Sequence, residues 1–141
     1  MIELAAAQAH SAGTPDQFFA RWAEHSTWGE WSPDTEWVRL DAPAALGTTG
    51  TLKPKGGPKV NFTISAFEPG VEYTDTSKLV GARLVFQHVA TATADGTALA
   101  ARVTVDGPLA RLWAKILGKD FAESVPADMQ RLVALVEAQS A

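Results

Sequence analysis

The feature that most constrains this chain is a change of period. From Trp37 to Asp106 apolar and polar residues alternate, with breaks at Lys55-Gly56-Gly57-Pro58, Glu68-Pro69-Gly70, Val80-Gly81 and Asp95-Gly96. Alternation puts one face of each segment in a core and the other in water, and the Gly- and Pro-bearing breaks reverse the chain. After Asp106 the step becomes three and four: Leu109, Leu112, Trp113, Ile116, Leu117, Phe121, Val125, Met129, Leu132, Val133 and Val136. That is the stripe of a long amphipathic helix, capped by Asp106 or Gly107 and started by Pro108. The two periods together predict an antiparallel meander of six strands closed by one long helix.

Pro126 lies inside the helical stripe and removes one backbone hydrogen bond. The stripe keeps its phase across it, so one bent helix is expected, the alternative being a second helix capped by Ser124. Before the meander, Ile2 to Ala9 reads as a strand ending at Ser11-Ala12-Gly13. Thr14-Pro15-Asp16-Gln17 is a capping box with proline at the first helical position. A helix follows to about His25, with Phe18, Phe19 and Trp22 on one face, and a second short helix runs through Trp28 to Trp31-Ser32-Pro33.

The alternation assigns an inner face. It holds Val60, Phe62, Ile64 and Ala66; then Val71, Tyr73, Asp75 and Ser77; then Leu84, Phe86, His88, Ala90 and Ala92; then Leu99, Ala101, Val103 and Val105. Two-residue loops test it, because opposed residues of an antiparallel pair share a face. A loop at Pro69-Gly70 sets Ile64 against Asp75 and Ala66 against Tyr73. One at Val80-Gly81 sets Tyr73 against His88 and Asp75 against Phe86. One at Asp95-Gly96 sets His88 against Val103 and Phe86 against Val105. A two-residue loop at Gly56-Gly57 would set Leu52 against Asn61, so that hairpin should be odd in length or bulged.

Composition excludes several functions. The 141 residues suit one domain spanning 1–141, and 46% are hydrophobic, enough for a core. There is no cysteine, hence no disulfide and no thiolate chemistry. A net charge of −4 argues against a nucleic-acid partner, and Lys53, Lys55 and Lys59 read as a solvated hairpin tip. No stretch is long and apolar enough for a membrane span. Glu3 stands where a signal peptide carries positive charge, so a cytoplasmic location is expected. His10, His25 and His88 are too dispersed for a metal site, and neither a phosphate loop nor a nucleophile elbow is present.

An apolar face carrying Tyr73, Asp75, Ser77 and His88 has the make-up of a small-molecule site. His88 opposite Tyr73 makes an acid–base or anchoring pair, against the plainer reading of a buried histidine bonded to Tyr73 or Ser77. Asp75 needs a partner or a raised pKa there, unless a strand end or bulge turns it outward. Four of five tryptophans lie between positions 22 and 37. Trp28, Trp31 and Trp37 are expected as a cavity wall or gate, or as packing for two short helices.

The layout, with Trp28-Gly29-Glu30-Trp31-Ser32-Pro33, Gly47, Gly50-Thr51-Leu52, Phe67-Glu68-Pro69-Gly70, Phe86-Gln87-His88, Asp95-Gly96-Thr97, Gly107-Pro108-Leu109, Gly118 and Pro126, resembles the START-like helix-grip (SRPBCC) superfamily and its polyketide cyclase/dehydrase branch. The resemblance implies an α+β helix-grip fold: a seven-stranded curved antiparallel sheet wrapped around a long C-terminal helix, with two short helices between the first two strands. It implies a hydrophobic small-molecule partner (lipid, polyketide or other aromatic) and no cofactor. The expected lining is Trp28, Trp31, Trp37, Phe62, Ile64, Tyr73, Asp75, Phe86, His88, Val103 and Val105, with Leu112, Trp113 and Ile116 from the helix. Two alternatives stand beside binding. One is a cyclase- or dehydratase-type enzyme using His88 and Tyr73; the other is a protein-interaction module with a filled core.

Overall fold

The computed structural model describes residues 1–140, and side chains through residue 139. Strand β1 (Ile2–Ser11) leads into helix α1 (Pro15–Ala23) and a 3₁₀ helix (His25–Glu30). Strands β2 (Thr35–Leu40), β3 (Thr49–Pro54), β4 (Val60–Glu68), β5 (Glu72–Leu79), β6 (Ala82–Thr93) and β7 (Gly96–Asp106) follow, and helix α2 (Ala110–Ser140) ends the chain. The strands form one antiparallel sheet in the order β1-β7-β6-β5-β4-β3-β2. The meander therefore spans six neighbours, and β1 returns to pair with β7. This is the helix-grip arrangement expected from the sequence.

The order has a consequence for the short helices. They link β1 and β2, the two edges of the sheet, and so must cross its concave face. The capping box forms as expected: Gln17 N donates to Thr14 Oγ1 at 3.2 Å, and Thr14 N donates to Gln17 Oε1 at 2.9 Å. Phe18, Phe19 and Trp22 are buried against the sheet, and at about 1.5–3 kcal/mol per fully buried large apolar side chain they hold α1 in place. Helix α2 is a single element that runs through Pro126, and it starts at Ala110 rather than Pro108 because Gly107 to Leu109 is spent on the turn.

Two of the three registers expected from two-residue loops differ instructively. The β4–β5 loop has three residues, Pro69 to Val71, with Gly70 in the left-handed region at φ 75°. That shifts the pairing by one, and a bulge at Ser65 shifts it back. Ile64 accordingly opposes Asp75, whereas Ala66 opposes Thr74, and Phe67 rather than Ala66 opposes Tyr73. At β5–β6, Tyr73 opposes His88 and Asp75 opposes Phe86, as expected. At β6–β7 the turn is Ala94-Asp95, so His88 opposes Ala101 and Phe86 opposes Val103. The error there is two residues, an even number, so every side chain keeps its face. Leu52 pairs with Val60, which is the odd-length outcome the β3–β4 hairpin required.

Two apolar clusters fill the space under the sheet. One joins Phe18, Trp22, Trp28 and Trp31 to Phe62, Ile64 and Tyr73, and takes in Met129, Leu132 and Val136 from α2. The other joins Leu84, Val103 and Val105 to Ala110, with Trp113, Leu117 and Phe121 packed against it. Val125 touches both.

Candidate functional site

Tyr73 is the centre of the buried polar groups. Its hydroxyl lies 2.6 Å from His25 Nε2 and 3.1 Å from Asp75 Oδ2. His25 is fixed from the other side, its Nδ1 lying 3.2 Å from the Ala23 carbonyl. A carbonyl only accepts, so Nδ1 carries the proton in the neutral ring and Nε2 is bare. Tyr73 has one proton for two neighbours. If Asp75 is ionised, Tyr73 donates to it and His25 must be the imidazolium. If Asp75 is protonated, it donates to Tyr73, and Tyr73 donates to His25. Burial favours the second arrangement below about pH 7, where Asp75 holds its proton. Desolvation pushes Asp75 up to about 7, against the Tyr73 hydrogen bond, and holds His25 down to about 4, against the Ala23 contact. Tyr73 itself is pushed well above the usual phenol range by burial and the Asp75 charge. The chain Asp75–Tyr73–His25–Ala23 is thus a single-file hydrogen-bonded row tying the 3₁₀ helix to β5.

His25 was the residue the sequence reading missed. It continues the stripe of Phe18 and Trp22 at helical spacing, which was the available signal. It stacks on Trp28 at 4.5 Å and on Phe62 at 5.9 Å between ring centroids, and meets Tyr73 edge-on at 5.4 Å. It holds the Tyr73 hydroxyl that sequence reasoning had offered to His88.

His88 is held by rings instead. It lies 5.4 Å from Trp22, 6.1 Å from Trp31 and 6.0 Å from Tyr73, centroid to centroid. Its residue is half-buried, yet Nδ1 is enclosed and without a hydrogen-bond partner. Desolvation holds its pKa down to about 4; the Tyr73 main chain offsets part of that without reaching hydrogen-bond geometry with Nδ1. The indole Nε1 atoms of Trp22 and Trp31 are also enclosed and unpartnered. Trp28 and Trp113, by contrast, donate to the carbonyls of Trp22 and Val80.

The inner face of β6 shows an unusual gradient. Leu84 and Ala90 are buried, while Phe86 and His88 between them are only half-buried. Mid-strand positions under a covering helix are normally the most enclosed. Opposite them Leu117, Phe121 and Val125 of α2 are half-buried too, and Phe86 meets Phe121 edge-on at 5.4 Å. The polar ties of α2 lie at its start and in its second half. Leu109 N donates to the Gly81 carbonyl and Trp113 to the Val80 carbonyl; Ser11 donates to Glu137 at 2.8 Å and Ser32 to Asp128 at 2.9 Å. Between these ties the half-buried residues of β6 and α2 face one another, where the two apolar clusters meet at Val125.

The other nominated residues divide. Trp28, Trp31, Phe62, Ile64, Val103 and Val105 are buried on the inner side, and Asp75 is inward and enclosed rather than turned to solvent. Trp37, Leu112 and Ile116 do not reach the interior. Trp37 lies on the surface under the Arg39 guanidinium, because β2 is an edge strand, and Leu112 and Ile116 are 52% and 55% exposed. The helical stripe is wider than the face α2 buries, so its Leu109–Leu112–Ile116 side is left in solvent. Two open surface depressions, of about 400 Å³ beside Gln8 and Val89 and about 550 Å³ beside Asp16 and Arg21, contain none of the nominated residues. No described helix is long and apolar enough to cross a membrane, and no group of three His, Asp or Glu side chains among the described residues could hold a metal ion.

No family model matches the sequence, and no curated protein matches it either. Solved structures do. The di-domain ARO/CYC StfQ from the steffimycin biosynthetic pathway matches with a TM-score of 0.78 at 14% identity, over 99% of this chain and 52% of that one. The chain therefore spans about half the length of that protein. Protein NE0264 from Nitrosomonas europaea matches at 0.73 and 13% identity, over 99% and 96% of the two chains. Ara h 8.0201 matches at 0.67 and 13% identity, over 94% and 96%. At such identities the likeness concerns the fold alone, and the fold is the helix-grip.

Proposed function

We propose that this protein binds a hydrophobic small molecule of lipid, polyketide or other aromatic type in the seam between β6 and α2. The observation that carries the reading is the burial gradient along β6: Phe86 and His88 keep more accessible surface than Leu84 and Ala90 on either side. Phe86, Phe121 and Val125 supply apolar wall, and the Trp31–His88 edge supplies polarity at one end. Apolar contact at about 25 cal/mol per Å² provides the affinity, and the few polar atoms fix orientation. The structural neighbours support the same class, since one is an ARO/CYC of a biosynthetic pathway. A cytoplasmic location belongs to this reading and fits the cysteine-free sequence.

A second reading, acid–base catalysis on the bound molecule, is favoured by His88 alone. The Tyr73 hydroxyl is committed to His25 and Asp75, whereas His88 Nδ1 is uncommitted and its neutral ring can exchange a proton.

The test is native mass spectrometry of the protein purified from its own host, paired with intrinsic tryptophan fluorescence during titration with aromatic and lipid ligands. A retained small molecule, and quenching that saturates at one ligand per chain, are expected. Absence of saturable binding across both ligand classes would overturn the reading.

A further inference from the structure

Among the described residues three enclosed side-chain polar atoms lack a partner: Trp22 Nε1, Trp31 Nε1 and His88 Nδ1. They are not scattered. Both indoles are ring neighbours of the same imidazole, at 5.4 Å and 6.1 Å. The two tryptophans are 1% and 6% exposed, so their N–H groups are not turned to bulk water. A buried polar atom without a partner costs stability, and three around one ring form a pattern that calls for a common explanation. The remaining tryptophans are either bonded to a carbonyl, as in Trp28 and Trp113, or at the surface, as in Trp37.

The donor count defines what would satisfy the cluster. Indole N–H groups only donate, so two acceptor lone pairs are required. At neutral pH the His88 ring is neutral and has one bare nitrogen; with Nδ1 bare, one donor is required as well. A hydroxyl oxygen offers two lone pairs and one proton. A carbonyl or ether oxygen supplies the lone pairs but no proton, and an ammonium supplies protons but no lone pair. His88 is half-buried while the two indoles are enclosed, so a group borne by a molecule in the seam would reach the cluster from the His88 side.

We propose that the molecule bound in the seam presents one hydroxyl, phenolic, enolic or alcoholic, to the Trp22–Trp31–His88 cluster. Its oxygen accepts from the two indole N–H groups and its proton is donated to His88 Nδ1. The inference rests on the seam as the binding site and assigns the polar end of the ligand. Tyr73, which sequence reasoning nominated for that task, is occupied by its own hydrogen bonds.

Three probes of one shape test it: naphthalene, 2-methoxynaphthalene and 2-naphthol, each titrated by ligand-observed NMR. All three should bind, with 2-naphthol tighter than the other two by about tenfold or more, as for a buried hydrogen bond. Trp31→Phe and Trp22→Phe keep an aromatic ring and remove the N–H. Each should shrink the preference for 2-naphthol over 2-methoxynaphthalene severalfold, whatever it does to the affinity for naphthalene itself. In the unmodified protein, the imidazole ¹⁵N signal of His88 Nδ1 should move on adding 2-naphthol and stay put on adding naphthalene. Equal affinity for the three probes would overturn the hydroxyl assignment and leave the seam intact. A naphthol preference that survives both substitutions would do the same, assigning the three nitrogens to a bound water. Failure of naphthalene itself to bind would remove the seam reading and this inference with it. If a variant does not fold, the probe series and the ¹⁵N shift in the unmodified protein still decide the matter.

Discussion

At the residue scale the informative object is the Asp75–Tyr73–His25 row. Tyr73→Phe keeps the ring and deletes both hydrogen bonds, leaving His25 Nε2 without the partner it has at 2.6 Å. The expected loss is about 1–3 kcal/mol in urea unfolding, the range for stranding a buried polar group. A loss below about 0.5 kcal/mol, the level of an ordinary surface substitution, would mean the row contributes only shape. The pH dependence follows from the shifts. Asp75 is raised to about 7, so its stabilising effect is full below the ordinary carboxylate pKa and is lost as pH rises through about 7. His25 and His88 are lowered to about 4, so their contribution is full above the ordinary histidine pKa and is lost as pH falls through about 4. The three effects together place the optimum near neutrality. Asp75→Asn removes the first alone, and its amide can still donate to Tyr73. Its stability relative to the unmodified protein should therefore climb between pH 4 and 7, by at most about 1.4 kcal/mol per pH unit, and level off above. A flat difference across urea melts from pH 4.5 to 8.5 would show that Asp75 is ionised throughout.

At the element scale α1 and α2 close tightly on Gly13, which follows β1. A Cβ there would stand 2.6 Å from Val136 Cγ1 and 3.1 Å from the Phe18 ring, and Val136 is fully buried. Gly13→Ala should therefore cost about 1–3 kcal/mol by overpacking, despite the gain that replacing glycine brings in the unfolded chain. Adding Val136→Ala should recover part of that loss, and additive losses in the double-mutant cycle would refute the contact. The elements themselves were legible from local chemistry: the capping box at Thr14, the turn glycines and the two periods each rest on neighbours in sequence. Faces were legible for the same reason, since parity survives a two-residue register error such as the one at Ala94-Asp95. What local chemistry could not give was compensation at a distance. The bulge at Ser65 cancels the third loop residue before Glu72, and alternation does not reveal it. Nor does periodicity say which part of a broad helical stripe is covered. Leu112 and Ile116 belong to the stripe but not to the buried face.

At the scale of the molecule the candidate site depends on how far α2 stands from β6. Sequence could nominate Tyr73, Asp75 and His88 because they interrupt an apolar face, but not which histidine Tyr73 would meet. That depends on the path of the short helices, which the strand order carries from one sheet edge to the other and which bring His25 over β5. The proposed seam has the same kind of origin, the meeting at Val125 of two apolar clusters. If it is a binding site, occupancy and packing compete for one volume. Val125→Trp places a large side chain between Phe121 and the Trp31–His88 edge. It should abolish binding of naphthalene-sized probes and leave the urea midpoint unchanged or raised, because a half-open position gains apolar burial. If the seam is simply loose core with no room for a guest, the same substitution overpacks it and lowers stability by about 1–3 kcal/mol. Binding and unfolding measured on one sample separate the two cases: lost affinity with retained stability identifies a pocket, and lost stability identifies a core.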